Sequence, residues 1–187
     1  MYLCGKKTGS STTTFIQKMI ETTRLRIRPI LESDFPDVFR MQSDPEIMHH
    51  IRPAVDDPEI VRGRMADWMK YNEENPELGV FALEWKASGA FAGYAVARHV
   101  DYNPATGEYE VGYVIARECW GMGLATEVTR ALCAYLFESV RPAYIVAFTA
   151  LENSASQHVL LKSGFTATGI REIYDGDSKE FRLYMER

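Results

Sequence analysis

The stretch Arg117-Glu118-Cys119-Trp120-Gly121-Met122-Gly123-Leu124-Ala125-Thr126-Glu127 holds the densest chemistry in the sequence. Two glycines one residue apart let successive backbone N–H groups converge, and a helix beginning at Gly123 would add unpaired donors and the positive end of its dipole. A turn of that kind binds an anion, a phosphate above all. The Gly-x-Gly pair taken alone describes an ordinary strand-to-helix turn equally well. Two nucleotide readings fit poorly: Thr126 stands where a dinucleotide fingerprint wants its third glycine, and no lysine follows Gly123 as a P-loop requires.

Other reactive side chains have bland alternatives. Glu110 lies in an alternating segment, where a carboxylate usually faces solvent at a sheet edge. Asn153 and Ser156 open a helical pattern, where both residue types serve as caps. His49 and His50 either border a pocket or sit on the surface. Cys119 has no histidine close by in sequence, so it reads as loop filler rather than as a nucleophile. Cys4, Cys119 and Cys133 are odd in number and lack CxxC spacing, which argues against a disulfide framework or a zinc site.

These residues need elements to hold them. Leu25 and Ile27 alternate with Arg24, Arg26 and Arg28, as in a half-buried strand. Ser33 and Asp34 cap a short helix with Pro36 in its first turn, and a second short helix follows Asp44-Pro45. A longer helix runs from about Glu59 to Tyr71, with Ile60, Met65, Trp68 and Met69 as its buried stripe. Leu78 to Lys86 and Phe91 to Val100 form a hairpin about Ser88-Gly89. Glu108 to Ala116 is a further strand, interrupted by Gly112, a residue that marks a bulge or a close approach. Leu124, Val128, Leu132 and Leu136 place one apolar stripe on a helix from Gly123 to Ser139. Tyr144 to Thr149 is a strand and Asn153 to Lys162 a helix that stops at Gly164. From Phe165 a last hairpin turns at Asp175-Gly176. This order makes a mixed α/β or α+β sheet covered by helices on its faces.

The chain has 187 residues, 46% apolar and 25% charged, which suits one globular domain. Residues 1–22 read as a flexible leader and 23–187 as the domain. A net charge of −5 without a basic stripe excludes nucleic acid as a natural partner and suits cationic acceptors better. No apolar run approaches the roughly 20 residues needed to span a bilayer, so the expectation is a soluble, cytoplasmic protein without a membrane partner.

Taken in order, Glu110-Val111-Gly112-Tyr113-Val114-Ile115, Trp120 to Glu127, Asn153-Ser154-Ala155-Ser156 and Leu161-Lys162-Ser163-Gly164-Phe165 resemble the GNAT superfamily of N-acetyltransferases, in its RimJ/RimL-type branch. Thr22 to Pro29 and Ser43-Asp44-Pro45-Glu46 resemble that branch too, so the likeness covers nearly everything after residue 22. It implies a central, mostly antiparallel twisted sheet of six to seven strands, flanked by about four helices and splayed between the Glu108–Ala116 and Tyr144–Thr149 strands. It further implies acetyl-CoA as cosubstrate, with its pyrophosphate on the amides of Gly121, Met122, Gly123, Leu124, Ala125 and Thr126. The pantetheine arm would lie beside Val114 and Ile115, with Asn153 and Ser156 at the cofactor. Glu118 and Met122 depart from the pattern, which commonly has Gln or Arg at the first position and often a basic residue at the second; Arg117 or Arg130 would have to compensate.

Forming an amide from a thioester needs a neutral amine, a polarised carbonyl and a proton for the departing thiolate. An α-amine of pKa about 7.7–8.0 needs little help, whereas a lysine at about 10.4 needs a base. The resemblance puts Glu110 forward as that base and Ser156 as the proton donor, with no metal. The expected partner is an amine, a peptide N-terminus slightly ahead of a polyamine, amino acid or antibiotic, and the expected assembly a monomer or homodimer. The alternative is a non-catalytic acyl-CoA-binding module.

Overall fold

A computed structural model describes residues 19–174 and 176–185. Its elements are β1 Ile20–Glu21, β2 Leu25–Pro29, α1 Phe35–Gln42, α2 Pro45–Met48, α3 Pro58–Glu74, β3 Gly79–Trp85, β4 Phe91–His99, β5 Tyr109–Ile115, α4 Leu124–Ser139, β6 Tyr144–Ala150, α5 Ser154–Lys162, β7 Thr166–Ile173 and β8 Gly176–Tyr184. The strands form one sheet in the order β1-β2-β3-β4-β5-β6-β8-β7.

Every neighbouring pair in the sheet is antiparallel except β5 and β6, which run parallel. Those two touch in register at a single pair, Glu110 opposite Val146, whereas β4 and β5 stay paired from Gly93–Ile115 through His99–Tyr109. The sheet is therefore continuous up to β5 and splays beyond Glu110. Helices α1 and α3 pack on each other and on β4 and β3; α4 and α5 pack on each other, α4 on β4 and β5, α5 on β6 and β7.

Periodicity explains most of this. Leu25 and Ile27 are fully buried in β2, and Leu124, Val128, Leu132 and Leu136 form the predicted stripe of α4. The stripe of α3 differs from expectation: Val61, Met65, Trp68 and Asn72 face inward, and Ile60 is 46% exposed. Positions 61, 65, 68 and 72 keep the i, i+4, i+7, i+11 spacing that lies on one side of a helix, and Ile60 falls about 100° away. Asp34 does not cap α1 through its side chain; its carboxylate instead takes two hydrogen bonds from Arg28, at 2.7 and 2.8 Å, and one from the Leu31 amide.

Among the described residues eight strands stand where six or seven were expected, because Ile20 and Glu21 pair with Ile27 and Arg26 as a two-residue edge. Five α-helices replace about four, the shortest being α2. The rest of the expected leader, residues 1–18, and Asp175 of the last turn lie outside the described residues. In that turn Ile173 pairs with Gly176, so Gly176 already belongs to β8.

Asn72 joins α3 to the sheet. Its Oδ1 accepts from the Val80 amide and its Nδ2 donates to the Val80 carbonyl, both at 2.8 Å, and it is buried. Asn72→Leu strands the buried Val80 amide, at about 1–3 kcal/mol, while the Val80 carbonyl keeps the Ile30 amide at 3.2 Å. The expected outcome is a loss on the order of 1–3 kcal/mol in denaturant unfolding with the folded spectrum retained.

Candidate active site

The space opened by the splay is a cleft of about 890 Å³. Tyr113, Val114 and Ile115 of β5 form one wall, Gly121 and Gly123 to Thr126 a second, and Asn153 to Ser156 of α5 a third. The chain bends into α4 through Gly121 and Gly123 at φ of 73° and 75°, a backbone region that costs an L-residue with a Cβ about 1–2 kcal/mol. This conformation turns the amides of Gly121 to Thr126 away from internal acceptors. None of them bonds to a described residue, and Glu127 is the first whose amide reaches a carbonyl, that of Gly123 at 3.2 Å. Orphan donors at a helix N-terminus, opening on a cleft, favour an anion.

Side chains from elsewhere hold the loop. Glu127 accepts from Thr22 Oγ1 at 2.6 Å, from the Arg24 amide at 2.9 Å and from Arg24 Nε at 2.7 Å. Burial alone would raise its carboxyl, but those bonds hold it below the usual carboxylate range. Arg24 Nη1 in turn donates to the Met122 carbonyl at 2.8 Å, and Trp120 Nε1 donates to the Ile115 carbonyl at 2.8 Å.

At the vertex of the splay lies Glu110. Its side chain is a buried carboxylate, 4% exposed, rather than a solvated edge group. It is ion-paired to Arg98 Nε through Oε1, and Tyr174 donates to Oε2 at 2.5 Å. Burial pushes its carboxyl upward against the opposing pull of Arg98 and the Tyr174 hydroxyl. Arg98 lies 3.7 Å above the Tyr102 ring, and the Asp101 amide donates to the Tyr174 hydroxyl at 3.1 Å. Asp101 and Tyr102 both hold positive φ, 53° and 54°, uncommon for residues other than glycine.

Where the strands stand apart, the Tyr113 hydroxyl donates to Ser156 Oγ at 3.2 Å, and Ser156 also takes the Asn153 cap through its amide at 3.0 Å. Burial raises the Tyr113 phenol, only partly offset by its bond to Ser156. A serine that accepts from a tyrosine keeps its own proton free to donate elsewhere.

Of the residues singled out from sequence, Val114, Ile115, Gly121, Gly123, Leu124, Ala125, Thr126, Asn153 and Ser156 come together around the cleft. Met122 does not line it and is half exposed. Glu110 does not line the cleft; it stands where β5 and β6 are still paired. His49, His50 and Cys119 also line it, Cys119 being buried. The two arginines expected to compensate are engaged: Arg117 pairs with Glu46 at 2.6 Å and Arg130 donates to the Lys162 carbonyl at 2.6 Å. Arg40 offsets Glu118 at 3.2 Å. Sequence reading missed Arg98, Tyr113 and Tyr174. Their partners stand 12, 43 and 64 positions away, and no local pattern announces such pairs. Among the described residues no group of histidine, cysteine and carboxylate side chains could hold a metal ion, and no helix is long and apolar enough to cross a membrane.

Glu127→Ala removes the anchor shared by Thr22 and Arg24. Losing charge-assisted bonds of this kind costs about 1.5–3 kcal/mol each at most, and less here because Arg24 is partly exposed. A fall of roughly 1–2 kcal/mol in unfolding free energy is expected, measured by urea titration.

The arrangement matches known proteins. Residues 24–166 match the family model described as an acetyltransferase (GNAT) domain. A Bacillus subtilis protein, YkkB, is 27% identical over 149 residues, which are 76% of this chain and 82% of that protein. Among solved structures, an acetyltransferase from Agrobacterium tumefaciens superposes with a TM-score of 0.78 at 21% identity, over 90% of this chain and 95% of the other. An acetyl transferase from Salmonella typhimurium, described as modifying the N-terminal serine of ribosomal protein L7/L12, superposes at 0.75 with 16% identity, over 90% and 100%. RimL, a ribosomal L7/L12 alpha-N-protein acetyltransferase in complex with coenzyme A, superposes at 0.77 with 16% identity, over 90% and 98%. The match to the GNAT model spans most of the chain and includes the splayed strands and the loop before α4: the protein belongs to the GNAT acetyltransferase family and is an acyltransferase acting on amines.

Proposed function

We propose that the protein transfers an acetyl group directly from acetyl-CoA to a primary amine, a protein N-terminus ahead of a polyamine, amino acid or antibiotic, and that it is of the RimJ/RimL type. One observation carries the reading: six consecutive amides without internal acceptors open on a cleft walled by β5, the strand that carries the buried Glu110 where the sheet divides. The RimL-like neighbours, described as acting on the N-terminus of L7/L12, favour an α-amine.

In this reading the amides of Gly121 to Thr126 neutralise the pyrophosphate without any side-chain cation, so Met122 can stand where a basic residue is common. The stretch Val114 and Ile115, without a strand partner on the β6 side and with the Ile115 carbonyl held by Trp120, lies along the pantetheine arm. Acetyl-CoA supplies the activated acyl carbon. Glu110 takes the amine proton, directly or through water, as the C–N bond forms. Ser156, oriented by Tyr113, gives its hydroxyl proton to the sulfur as the C–S bond breaks.

A second reading, an acyl-CoA-binding module without turnover, draws on the fact that both oxygens of Glu110 are already occupied. Thioester consumption and mass spectrometry with N-terminal peptides and spermidine decide between the two. Transfer requires acetylated product; acetyl-CoA binding without product from any amine supports the module.

Glu110→Gln and Ser156→Ala should each lower turnover by about 10²–10⁴-fold while leaving acetyl-CoA binding within a few-fold. A general base works when deprotonated, so activity rises with pH through the Glu110 pKa. Because burial raises that pKa, the acidic limb of kcat/KM should lie above the ordinary glutamate value of about 4.3 and vanish in Glu110→Gln. Gly123→Ala forces a Cβ into the left-handed region and should weaken acetyl-CoA about tenfold by calorimetry.

A further inference from the structure

A second hollow, of about 400 Å³, lies beside the cleft, with Arg52, Arg64, Trp68 and Tyr102 in its walls. The two spaces share a chain segment, because Ile51 lines the cleft and Arg52 the hollow. Tyr102 links the hollow to the vertex, since its ring lies 3.7 Å from the Arg98 guanidinium that pairs with Glu110.

The charges here are unbalanced. Neither Arg52 nor Arg64 meets a carboxylate among the described residues. Arg64 Nη1 donates to Gln42 Oε1 at 2.7 Å, and Gln42, 1% exposed, then has no acceptor for its own Nε2. Arg52 is near enough that its charge joins burial, the larger cause, in holding Arg64 below the usual guanidinium range. The other charged lining groups are Lys70 and Glu74, which meet at 4.0 Å, and the exposed Asp67. Two guanidinium groups brought together in one hollow, neither paired with a carboxylate, form a site short of an anion.

We infer that this hollow takes a carboxylate carried by the acceptor amine, so that the protein selects acceptors with an acidic group a short distance from the reacting nitrogen. A guanidinium fork matches a carboxylate in shape and charge, and Trp68 and Tyr102 offer apolar surface to the hydrocarbon stem. An acceptor with a lysine in that place meets two uncompensated cations instead. The net charge of −5 does not oppose this, because charges more than about 8 Å away are largely screened at physiological salt. The inference rests on the acetyl-transfer reading for its choice of ligand, and the carboxylate can come from a peptide side chain or from a free amino acid.

The test uses the full chain saturated with coenzyme A, titrated calorimetrically with the tripeptide amides Ser-Glu-Ala, Ser-Ala-Ala and Ser-Lys-Ala and with free glutamate; kcat/KM is measured in parallel with acetyl-CoA. Ser-Glu-Ala should bind about tenfold more tightly than Ser-Ala-Ala, the worth of one charge-assisted pair, and Ser-Lys-Ala least. Tighter binding of glutamate than of Ser-Glu-Ala supports the same site with an amino acid as its source. Arg52→Gln, at an exposed position, should erase the preference while leaving coenzyme A affinity unchanged, and Arg52→Glu should reverse the order of the Glu and Lys peptides. Equal binding of all three peptides, binding of none, or an equal loss for all in Arg52→Gln overturns the inference. Turnover of Ser-Ala-Ala without acidic preference would leave acetyl transfer standing, whereas acid-selective binding without turnover would sink the transfer reading and keep the site.

Discussion

The structure depends on two parallel strands meeting at one register pair and no further. Beyond Glu110 and Val146 the backbone of β5 has no strand partner on the β6 side, and its Ile115 carbonyl is taken by Trp120 instead; sheets elsewhere avoid such edges because unpaired ones invite other chains. Here the exposed edge is enclosed by α4, α5 and the Trp120–Thr126 loop, so it serves a ligand rather than a neighbour. Polar contacts gather at the joined end. Glu108 accepts from Arg171 of β7 and Tyr144 of β6, at 2.8 and 3.1 Å, while Tyr174 reaches back to Glu110. At the open end the Tyr113–Ser156 bond joins β5 to α5 across the gap.

Buried charge is managed the same way throughout. Glu110 is paired with Arg98, Glu127 with Arg24, Asp34 with Arg28, and Glu180 with Arg182 and Arg171. For the buried carboxylates Glu110, Asp34 and Glu180 the pairing offsets the cost of desolvation, so these networks specify geometry more than they add stability. Breaking the pattern is informative for that reason. Arg52 and Arg64 share a hollow whose two carboxylates, Asp67 and Glu74, pair with neither of them among the described residues. In a chain of net charge −5 the local sign of a pocket is set by which few side chains face it.

Strain is concentrated near the same place. Asp101, Tyr102 and Tyr174 all hold positive φ, and all three contact the Arg98–Glu110 pair or one another. Backbone of this kind persists where surrounding contacts over-determine it. The Asp101 amide and the Arg98 guanidinium, both bonded to the Tyr174 hydroxyl, are the contacts that do so.

Several features were legible in the order of residues because they obey local rules. The Leu124–Leu136 stripe, the alternation of Leu25 and Ile27, and the Gly121–Thr126 turn follow from side-chain periods of 3.6 and 2 and from glycine's access to positive φ. The stripe of α3 was misread by one position, since Ile60 and Val61 are both apolar and only packing chooses between them. Glu110 was visible as a carboxylate on a strand, but its burial was not, because alternation says which side a residue faces and not what covers that side. Its partners Arg98 and Tyr174, the Tyr113 bond to Ser156 and the pairing of Arg52 with Arg64 belong to tertiary structure alone. The physical reason is range: a period or a turn acts over a few residues, whereas a hydrogen bond or an ion pair joins whatever the fold brings within about 3 Å, however far apart along the chain.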